Sequence, residues 1–254
     1  ADNDFMAGRY ALSGDSLAPI LNRGVVNVDG GYVALLGARV SNEGVLSARL
    51  GSVALAAGQA ITLDVAGDGL LNVTVQQGVV DALVQNGGMI RADGGQVLLT
   101  TQAAGSLLQG AVNNTGLIQA QTLENHNGTI RLLGGMQAGT VGVAGTLDAS
   151  APAGGSGGFI ETSAARVKVA GDARITTAAP LGSAGSWLID PLDFTIGDPS
   201  TGGDIAGSTL SGMLVANNVT IRTEAGTNDT NNLYAGTVGN GDIHVNQPVS
   251  WTAS

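Results

Sequence analysis

Residues 42–55 read Asn42-Glu-Gly-Val-Leu-Ser-Ala48-Arg-Leu-Gly51-Ser-Val-Ala-Leu55 and contain the two short patterns that decide the fold. The first pattern is Asn-x-Gly-x-aliphatic-x-Ala or Val, and the second is Gly-x-Val or Ile-x-Leu or Thr. The first recurs, with one degenerate copy, at 22–28, 86–92, 114–120 and 143–149, and the second recurs at 31–35, 95–99, 128–132 and 158–162. Repetition of this kind predicts an architecture built from units of roughly 20–50 residues.

The two patterns keep a fixed order, and extra residues enter between them at one place. Their glycines are seven residues apart in three copies, twelve apart from Gly116 to Gly128, and thirteen apart from Gly145 to Gly158. The additional residues fall around 121–125 and 150–156. Insertion at one fixed phase is typical of a corner loop, because a packed strand does not tolerate a change of length.

Hydrophobicity alternates within each pattern. Val26 and Val28 share one side of the chain and Asn27 takes the other, and Leu46, Ser47 and Ala48 repeat that arrangement. A period of two predicts strands with one buried face, so we expect two short strands per repeat. We expect the glycines to form corners with positive φ. Four asparagines at one phase predict a stacked ladder that satisfies corner backbone groups: Asn22, Asn42, Asn86 and Asn114.

These features predict an all-β fold, a β-solenoid of about ten or eleven coils, with short loop or helical excursions. Segments 78–85 and 102–112 are expected to be such excursions. Ser208–Asn217 is predicted to be a short helix capped by Ser208. We expect the repetitive rod to occupy residues 1–196, and residues 197–254 to hold a turn-rich boundary followed by further coils.

Composition excludes several classes of protein. Glycine contributes 41 of 254 residues, hydrophobic residues 43% and aromatic residues 3%, and the formal net charge is −10. Ten scattered basic residues in an acidic chain predict no nucleic-acid partner. No apolar run reaches the roughly 18 residues of a membrane helix, so no membrane insertion is expected. The absence of cysteine removes disulfides, thiol nucleophiles and thiolate metal sites.

The residues that could carry catalysis are few, and we assign no catalytic, cofactor-binding or metal-binding residue. Asp190 and Asp193 form the closest acid pair, but they flank a proline and are interpreted as turn-capping carboxylates. Lys168 is the single lysine and is predicted to be a solvent-facing strand charge. His126 and His244 lack companions at metal-ligand spacing and are interpreted as surface residues.

Calcium is the one cofactor that the sequence leaves open. Several aspartates lie in turns rich in glycine and asparagine, and oxygen-rich loops of extracellular proteins bind this ion. The glycine-rich calcium nonapeptide is absent, so we expect no cofactor and interpret these aspartates as solvated turn residues. They are Asp64, Asp68, Asp198, Asp204, Asp229 and Asp242.

Four segments carry a family resemblance, and together they span nearly the whole chain. They are Phe5-Met-Ala-Gly-Arg-Tyr-Ala-Leu-Ser-Gly14, Gly30-Gly-Tyr-Val-Ala-Leu-Leu-Gly37, Gly155-Ser-Gly-Gly-Phe-Ile-Glu-Thr-Ser163 and Gly185-Ser-Trp-Leu-Ile-Asp-Pro191. The chain resembles adhesins of the filamentous haemagglutinin type, which Gram-negative bacteria export by two-partner secretion. The family's Asn-Pro-Asn-Gly motif is absent, so the chain resembles the carboxyl side of the secretion domain and the start of the rod.

The resemblance implies a right-handed parallel β-helix, an outer-membrane transporter as partner, and an extracellular or cell-surface location. We therefore expect a noncatalytic adhesive shaft that mediates attachment or cell–cell aggregation through a receptor or glycan that the sequence does not name. The alternatives are a carbohydrate-active β-helix enzyme, such as a polysaccharide lyase or hydrolase, and the shaft of a contact-dependent toxin delivery protein. Unpaired strands at the ends of such a rod predict end-to-end self-association.

Overall fold

The computed structural model describes residues 2–65, 72–103, 109–224 and 239–252, and most of its regular structure is β-strand. Two α-helices, α1 (Asp2–Met6) and α2 (Gly207–Leu214), and one 3₁₀-helix (Pro199–Thr201) are present in these ranges. The strands are β1 (Arg9–Ser13), β2 (Pro19–Asn22), β3 (Val25–Asp29), β4 (Tyr32–Gly37), β5 (Arg39–Asn42), β6 (Val45–Arg49), β7 (Ser52–Ala57), β8 (Ala60–Asp64), β9 (Asn72–Gln77), β10 (Ala82–Asn86), β11 (Met89–Arg91), β12 (Gln96–Thr100), β13 (Gly110–Asn114), β14 (Leu117–Gln119), β15 (Thr129–Leu133), β16 (Thr140–Val143), β17 (Thr146–Asp148), β18 (Phe159–Ser163), β19 (Arg166–Val169), β20 (Arg174–Thr176), β21 (Ser186–Asp190), β22 (Phe194–Ile196), β23 (Asn218–Ile221) and β24 (Ile243–Val245).

Three parallel sheets contain most of these strands, which confirms the expectation of an all-β chain. Sheet 1 has the order β2-β5-β10-β13-β16-β19, and sheet 2 has the order β3-β6-β11-β14-β17-β20. Sheet 3 has the order β4-β7-β12-β15-β18-β21-β23. The chain passes through sheet 1, sheet 2 and sheet 3 in turn, and each such passage adds one strand to each sheet. We call one passage through all three sheets a circuit.

Each circuit uses three strands, not the two that the sequence predicted. The described residues contain six complete circuits, fewer than the ten or eleven expected, because strands β1, β8, β9, β22 and β24 and helix α2 belong to none of the three sheets. The additional strand is the sheet 1 strand, which ends at the asparagine in four circuits. Within segment 78–85, residues 82–85 belong to strand β10 and not to an excursion, and the described part of 102–112 contains the start of β13. The inward-facing asparagine side chains interrupt the alternation of apolar and polar residues in these strands. The strands are therefore hard to recognise in the sequence.

Aliphatic side chains from all three sheets form one continuous core. Equivalent positions stack from strand to strand, as in the fully buried row of Leu46, Ile90, Ile118 and Leu147 in sheet 2. Parallel strands lie about 4.8 Å apart, so each such row is a line of branched side chains in van der Waals contact. Trp187 is also fully buried, and its indole Nε1 donates a hydrogen bond of 3.1 Å to Thr162 Oγ1.

The predicted asparagine ladder is confirmed. Nδ2 of Asn22, Asn42 and Asn86 each donates to Oδ1 of the next asparagine, at 2.8 Å in every step. Each Nδ2 also contacts the carbonyl oxygen of the glycine two residues later, at 3.1–3.4 Å. The ladder ends at Asn114, because Val143 occupies the next position of the row. Buried amides are therefore satisfied by one another and by the corner backbone.

Gly31 has the positive φ that was predicted for the repeated glycines, but most of them have a different role. Gly44, Gly88 and Gly116 are not in the positive-φ region. A Cβ on Gly88 would lie 2.2 Å from the carbonyl oxygen of Gly44, and a Cβ on Gly116 would lie 2.1 Å from that of Gly88. Glycine is required at these corners because successive corners stack backbone on backbone, which leaves no room for a methyl group.

A small antiparallel sheet covers part of the outer surface of sheet 3. Its order is β1-β8-β9, and β8 and β9 alternate apolar and polar residues but lack the repeat signature. Ile61, Leu63 and Val75 point from it onto outward residues of sheet 3, including Ala54 and Ala56, which are buried as a result. The later strands β15, β18 and β21 are not covered by this sheet.

At the carboxyl end of the stack, α2 takes the place of a sheet 2 strand and packs Leu210 and Met213 into the core. The helix begins at Gly207, so Ser208 is not its cap; this part of the prediction was wrong. The preceding residue, Ala206, makes no side-chain cap, and Gln247 Oε1 instead accepts from the Gly207 N–H at 2.8 Å. Among the described residues, no helix combines the length and apolar character needed to cross a membrane.

Candidate functional site

A group of paired charges lies on the outer surface of sheet 3, beyond the antiparallel cover. We call this surface the charged face and define it by Arg131, Glu161, Ser163, Asp190 and Arg222. Strands β15, β18 and β21 and the residue after β23 present them, because these positions alternate with buried core positions. Parallel register places Arg131 directly beside Glu161, and Ser163 beside Asp190.

Arg131 and Glu161 form the first half of the charged face. Nε of Arg131 lies 3.2 Å from Oε2 of Glu161, and the hydroxyl of Ser163 donates to Oε1 of the same carboxylate at 3.0 Å. The guanidinium also lies 5.8 Å from the ring centroid of Phe159, within the range of a cation–π contact. Both carboxylate oxygens of Glu161 therefore have partners, and Arg131 is held in one orientation.

Asp190 and Arg222 form the second half. Asp190 is buried and pairs through both carboxylate oxygens with the half-exposed guanidinium of Arg222. The interpretation of Asp190 as a turn cap was therefore wrong: its position at the end of β21 aims the side chain at the next strand. The hydrogen bond to Asp190 raises the pKa of Arg222, and the negative charge of Asp190 is the second cause of this rise. Glu224 lies 3.6 Å from the same guanidinium.

Asp193 caps backbone N–H groups, but in a distant segment and not in the Pro191 turn that the sequence predicted. Its Oδ1 accepts from the backbone N–H groups of Asn240 at 2.8 Å and Asp242 at 2.9 Å. It therefore holds the segment that leads into β24 and does not join Asp190 in a common site. The closest acid pair in the sequence is thus divided between an ion pair and a backbone turn.

A narrow cleft of about 180 Å³ lies where the antiparallel cover meets the charged face. Val73 and Thr74 of β9 form one wall, Leu98 and Leu133 contribute apolar surface, and Arg131 forms the polar side. A larger cleft of about 650 Å³ near the carboxyl end is lined mainly by small and apolar residues together with Trp251. In this larger cleft the Asn218 amide donates to backbone carbonyls within the chain.

Sheet 2 carries a second polar network on its outer surface. Gln119 Nε2 donates to both carboxylate oxygens of Asp93 at 2.9 Å, and Arg91 Nε lies 3.1 Å from the same carboxylate. One circuit further, Gln121 Nε2 donates to Asp148 Oδ2 at 2.8 Å. Amides and carboxylates of neighbouring circuits thus form hydrogen bonds along the stack. These bonds join the circuits on the outer surface, in addition to the contacts in the core.

Lys168 lies on the outer side of β19, opposite the buried Val167 and Val169, as predicted. It is not simply solvated, however. Its Nζ lies 2.7 Å from Asp204 Oδ1 and donates to the carbonyl oxygen of Gly203 at 3.1 Å. The single lysine therefore fastens the turn-rich segment that begins at residue 197 to sheet 1.

The remaining predicted positions that the structure describes do not assemble into a metal site. His126 and His244 are both exposed, in accordance with the prediction. Asp198 accepts from the N–H and the hydroxyl of Ser200, and these hydrogen bonds lower its pKa. Asp204 accepts from the Thr195 N–H in addition to its contact with Lys168. Within the described ranges, no three His, Cys, Asp or Glu residues form a group able to hold a metal ion.

Two of the aspartates proposed for calcium, Asp68 and Asp229, lie outside the described residues. Asp64 is the last residue of β8, and Asp242 contributes its backbone carbonyl to the Phe194 N–H at 2.9 Å. The expectation that these turns bind no cofactor therefore stays untested.

Sequence reasoning missed Arg131, Glu161 and Arg222 as members of one site. The signal was nevertheless present, because Gly128-Thr-Ile-Arg131 and Gly158-Phe-Ile-Glu161 place an arginine and a glutamate at the same phase of consecutive repeats. Equal phase in a parallel stack means adjacent strands, so opposite charges at equal phase predict an ion pair. Arg222 carried no such signal, because the irregular segment that precedes it hides its phase.

The chemistry of the charged face is that of paired ions. The Glu161 carboxylate contacts the Arg131 guanidinium, and the Asp190 carboxylate contacts that of Arg222. The face offers half-exposed guanidinium groups and a half-buried aromatic ring, which suit recognition of a polar partner. No protein-family model and no curated protein matches the chain.

Proposed function

We propose that the chain is a right-handed parallel β-helix that serves as a noncatalytic shaft of a large bacterial surface adhesin. In this proposal the protein is exported through an outer-membrane transporter of the two-partner type and acts outside the cell in attachment or aggregation. The sequence resemblance supplies the export route and the location. The geometry of the described residues supplies the support for a shaft.

The observation that carries the proposal is the unbroken register of the three parallel sheets. From the first circuit to the sixth, each sheet gains one strand, and equivalent residues stay paired, as in Val25, Val45, Met89 and Leu117 of sheet 2. Such stacking produces a structure that is long in one direction and supported by contacts between nearest neighbours. A stack of this kind holds binding surfaces at a distance from the point of anchorage.

The same nearest-neighbour contacts suit export. Because each circuit contacts mainly the circuits before and after it, folding can begin at one end and propagate as further chain emerges. The core contains no cysteine, so this process needs no disulfide chemistry. A transporter that passes an unfolded chain would therefore release a segment able to fold without other factors.

The pairing of charges on the outer surface favours display over catalysis. Glu161 and Asp190 are each neutralised by an arginine, and the amides of sheet 2 are bonded to neighbouring side chains. A carbohydrate-active enzyme of this architecture would instead need a carboxyl group and a proton acceptor poised beside an open groove. Among the described residues, no such arrangement supports the alternative function as an enzyme.

The experiment compares attachment and turnover on the same preparation. Beads coated with the folded chain are expected to bind bacterial or host cells above the level of beads coated with heat-unfolded chain. The same protein should release no reducing ends or unsaturated products from pectin, alginate and xylan. Product formation in proportion to enzyme concentration would overturn the noncatalytic proposal. Equal attachment by folded and unfolded protein would overturn the adhesive one.

A further inference from the structure

Three asparagines of the chain are followed directly by glycine: Asn86, Asn127 and Asn240. An asparagine in this position can react with its own backbone, because glycine has no side chain to shield its nitrogen from the preceding amide carbon. The reaction needs an asparagine side chain that is free to turn and a glycine N–H that is not held in a hydrogen bond. The three sites differ in both respects.

Asn86 is protected by the asparagine ladder. It is fully buried, its Nδ2 donates to Asn114 Oδ1, and its Oδ1 accepts from Asn42 Nδ2, each at 2.8 Å. The Gly87 N–H donates to the Asn42 carbonyl oxygen at 2.8 Å. None of these groups can leave its partner unless the circuit opens. Reaction at Asn86 therefore requires local unfolding.

Asn240 is exposed, but its backbone is restrained. Asp193 Oδ1 accepts from the N–H groups of Asn240 and Asp242, at 2.8 Å and 2.9 Å, and so clamps the turn on both sides of the glycine. Gly241 has a φ of +79° and its carbonyl oxygen accepts from Thr223 Oγ1 at 2.7 Å. These bonds oppose the rotation that would bring the Gly241 nitrogen to the asparagine side chain.

Asn127 has neither kind of protection. It is exposed in the connection between β14 and β15. Among the described residues, neither its side chain nor the Gly128 N–H has a hydrogen-bond partner. Other glycines at the phase of Gly128 donate their N–H groups to a corner alanine carbonyl at 2.7–3.0 Å: Gly51, Gly95 and Gly158.

The attacking nitrogen is nevertheless held in place. The Ala120 carbonyl oxygen lies 1.5 Å from the position that a Cβ of Gly128 would take, so this corner accepts only glycine. The Gly128 carbonyl oxygen accepts from the Phe159 N–H at 3.0 Å, and the Thr129 N–H donates to the Gly95 carbonyl oxygen at 3.0 Å. A fixed nitrogen with a free N–H therefore lies beside an unrestrained amide side chain.

We propose that Asn127–Gly128 is a site of spontaneous modification, at which the asparagine converts to aspartate and isoaspartate. The Gly128 nitrogen attacks Cγ of Asn127: the N–Cγ bond forms, the Cγ–Nδ2 bond breaks, and ammonia leaves with the proton of the Gly128 N–H. Water then opens the resulting succinimide at either of its carbonyl groups. Both products carry an added negative charge at neutral pH, and isoaspartate lengthens the backbone just before β15. The inference is independent of the adhesive function, because it concerns one peptide bond and not the charged face.

The experiment follows all three sites in the folded 254-residue chain during incubation at mildly alkaline pH. Peptide mapping with electron-transfer fragmentation measures aspartate and isoaspartate at each position. Products should appear first at Asn127 and more slowly at Asn240. Asn86 should react about 100-fold more slowly than Asn127, or slower still, because its circuit must open first. In concentrated urea the three sites should react at similar rates, since they share the same dipeptide.

Two variants separate the free N–H from exposure alone. Asn127→Gln should keep the circular dichroism of the unchanged protein and form almost no product at this position, because the longer side chain must close a larger ring. Leu50→Asn places the same dipeptide at the same phase of another circuit, where the Gly51 N–H donates to the Ala48 carbonyl oxygen at 3.0 Å. Asparagine at position 50 should therefore react more slowly than Asn127.

The proposal is overturned if the folded chain forms no product at Asn127 while the unfolded chain does. It is equally overturned if Asn86 or Asn240 reacts as fast as Asn127 in the folded chain. Equal rates at Asn127 and at position 50 of folded Leu50→Asn would show that the free N–H of Gly128 has no part in the reaction.

Discussion

Replacement of Asn86 by alanine tests whether the amide ladder holds the circuits together. Asn86 is fully buried, donates to Asn114 Oδ1 and accepts from Asn42 Nδ2, both at 2.8 Å. Alanine removes both ladder bonds and leaves a buried donor and a buried acceptor facing a cavity. A buried polar group without a partner costs about 1–3 kcal/mol. Asn42 Nδ2 retains longer contacts with backbone carbonyls, so we expect a loss of about 3 kcal/mol.

Asn22→Ala is the matched control, because it removes one ladder bond, in the first circuit. Asn22 is only partly buried, so water can replace the lost donor, and we expect a loss of about 1 kcal/mol. The difference of about 2 kcal/mol corresponds to a roughly 30-fold change in the unfolding equilibrium. Urea unfolding followed by circular dichroism measures both values.

A third variant separates the hydrogen bonds from the cavity. Val143 follows Asn114 in the same row, so valine is compatible with this position in a circuit. Asn86→Val fills much of the space but still leaves the two neighbouring amides without ladder partners. We expect it to remain at least 1 kcal/mol less stable than the unchanged protein. The reasoning is refuted if Asn86→Val is as stable as the unchanged chain, or if Asn86→Ala costs no more than Asn22→Ala.

Three other outcomes follow from the described contacts. Gly88→Ala should prevent or severely impair folding, because its Cβ would lie 2.2 Å from the Gly44 carbonyl oxygen, whereas Gly24→Ala should fold; thermal unfolding of the two proteins compares them directly. Ser200→Ala should raise the pKa of Asp198 toward the ordinary value of 3.8, measurable by NMR titration. The Asp198 pKa is depressed in the folded state, so its contribution to stability is present above the unfolded pKa and is lost as pH falls through the folded value. Lys168→Met should accelerate proteolysis within residues 197–205 with little change in global unfolding, because it frees that segment from sheet 1; an unchanged cleavage rate would contradict the role of the lysine.

The strands of sheets 2 and 3 could be predicted from the sequence because their inward positions are consistently apolar. Sheet 1 could not, since Asn42, Asn86 and Asn114 point inward and look like loop residues when a buried amide is counted as polar. The ladder was nevertheless predictable, because identical residues at one phase of a repeat must stack. Residues at one phase of consecutive repeats lie on adjacent strands, so the phase alone would also have paired Arg131 with Glu161.

Other features had no local signal. The antiparallel cover joins β1 to β8 and β9, segments far apart in the chain that carry no shared pattern. The cap of α2 comes from Gln247, forty residues downstream of Gly207, so no rule based on neighbouring residues identifies it. The glycine corners were correctly located but wrongly explained, because the absence of a side chain indicates equally a positive φ or a close approach of two backbones.

The direction of the hydrogen bonds in the three parallel sheets determines how this protein responds to force. They run along the stack, so a pull on the two ends loads them one circuit after another and not all together. The circuit from Asn86 to Asn114 spans 28 residues. Released, it would extend by about 90–100 Å, in place of the 4.8 Å it contributes when folded. A tether built this way would lengthen in steps under tension, and each refolded circuit would restore one step.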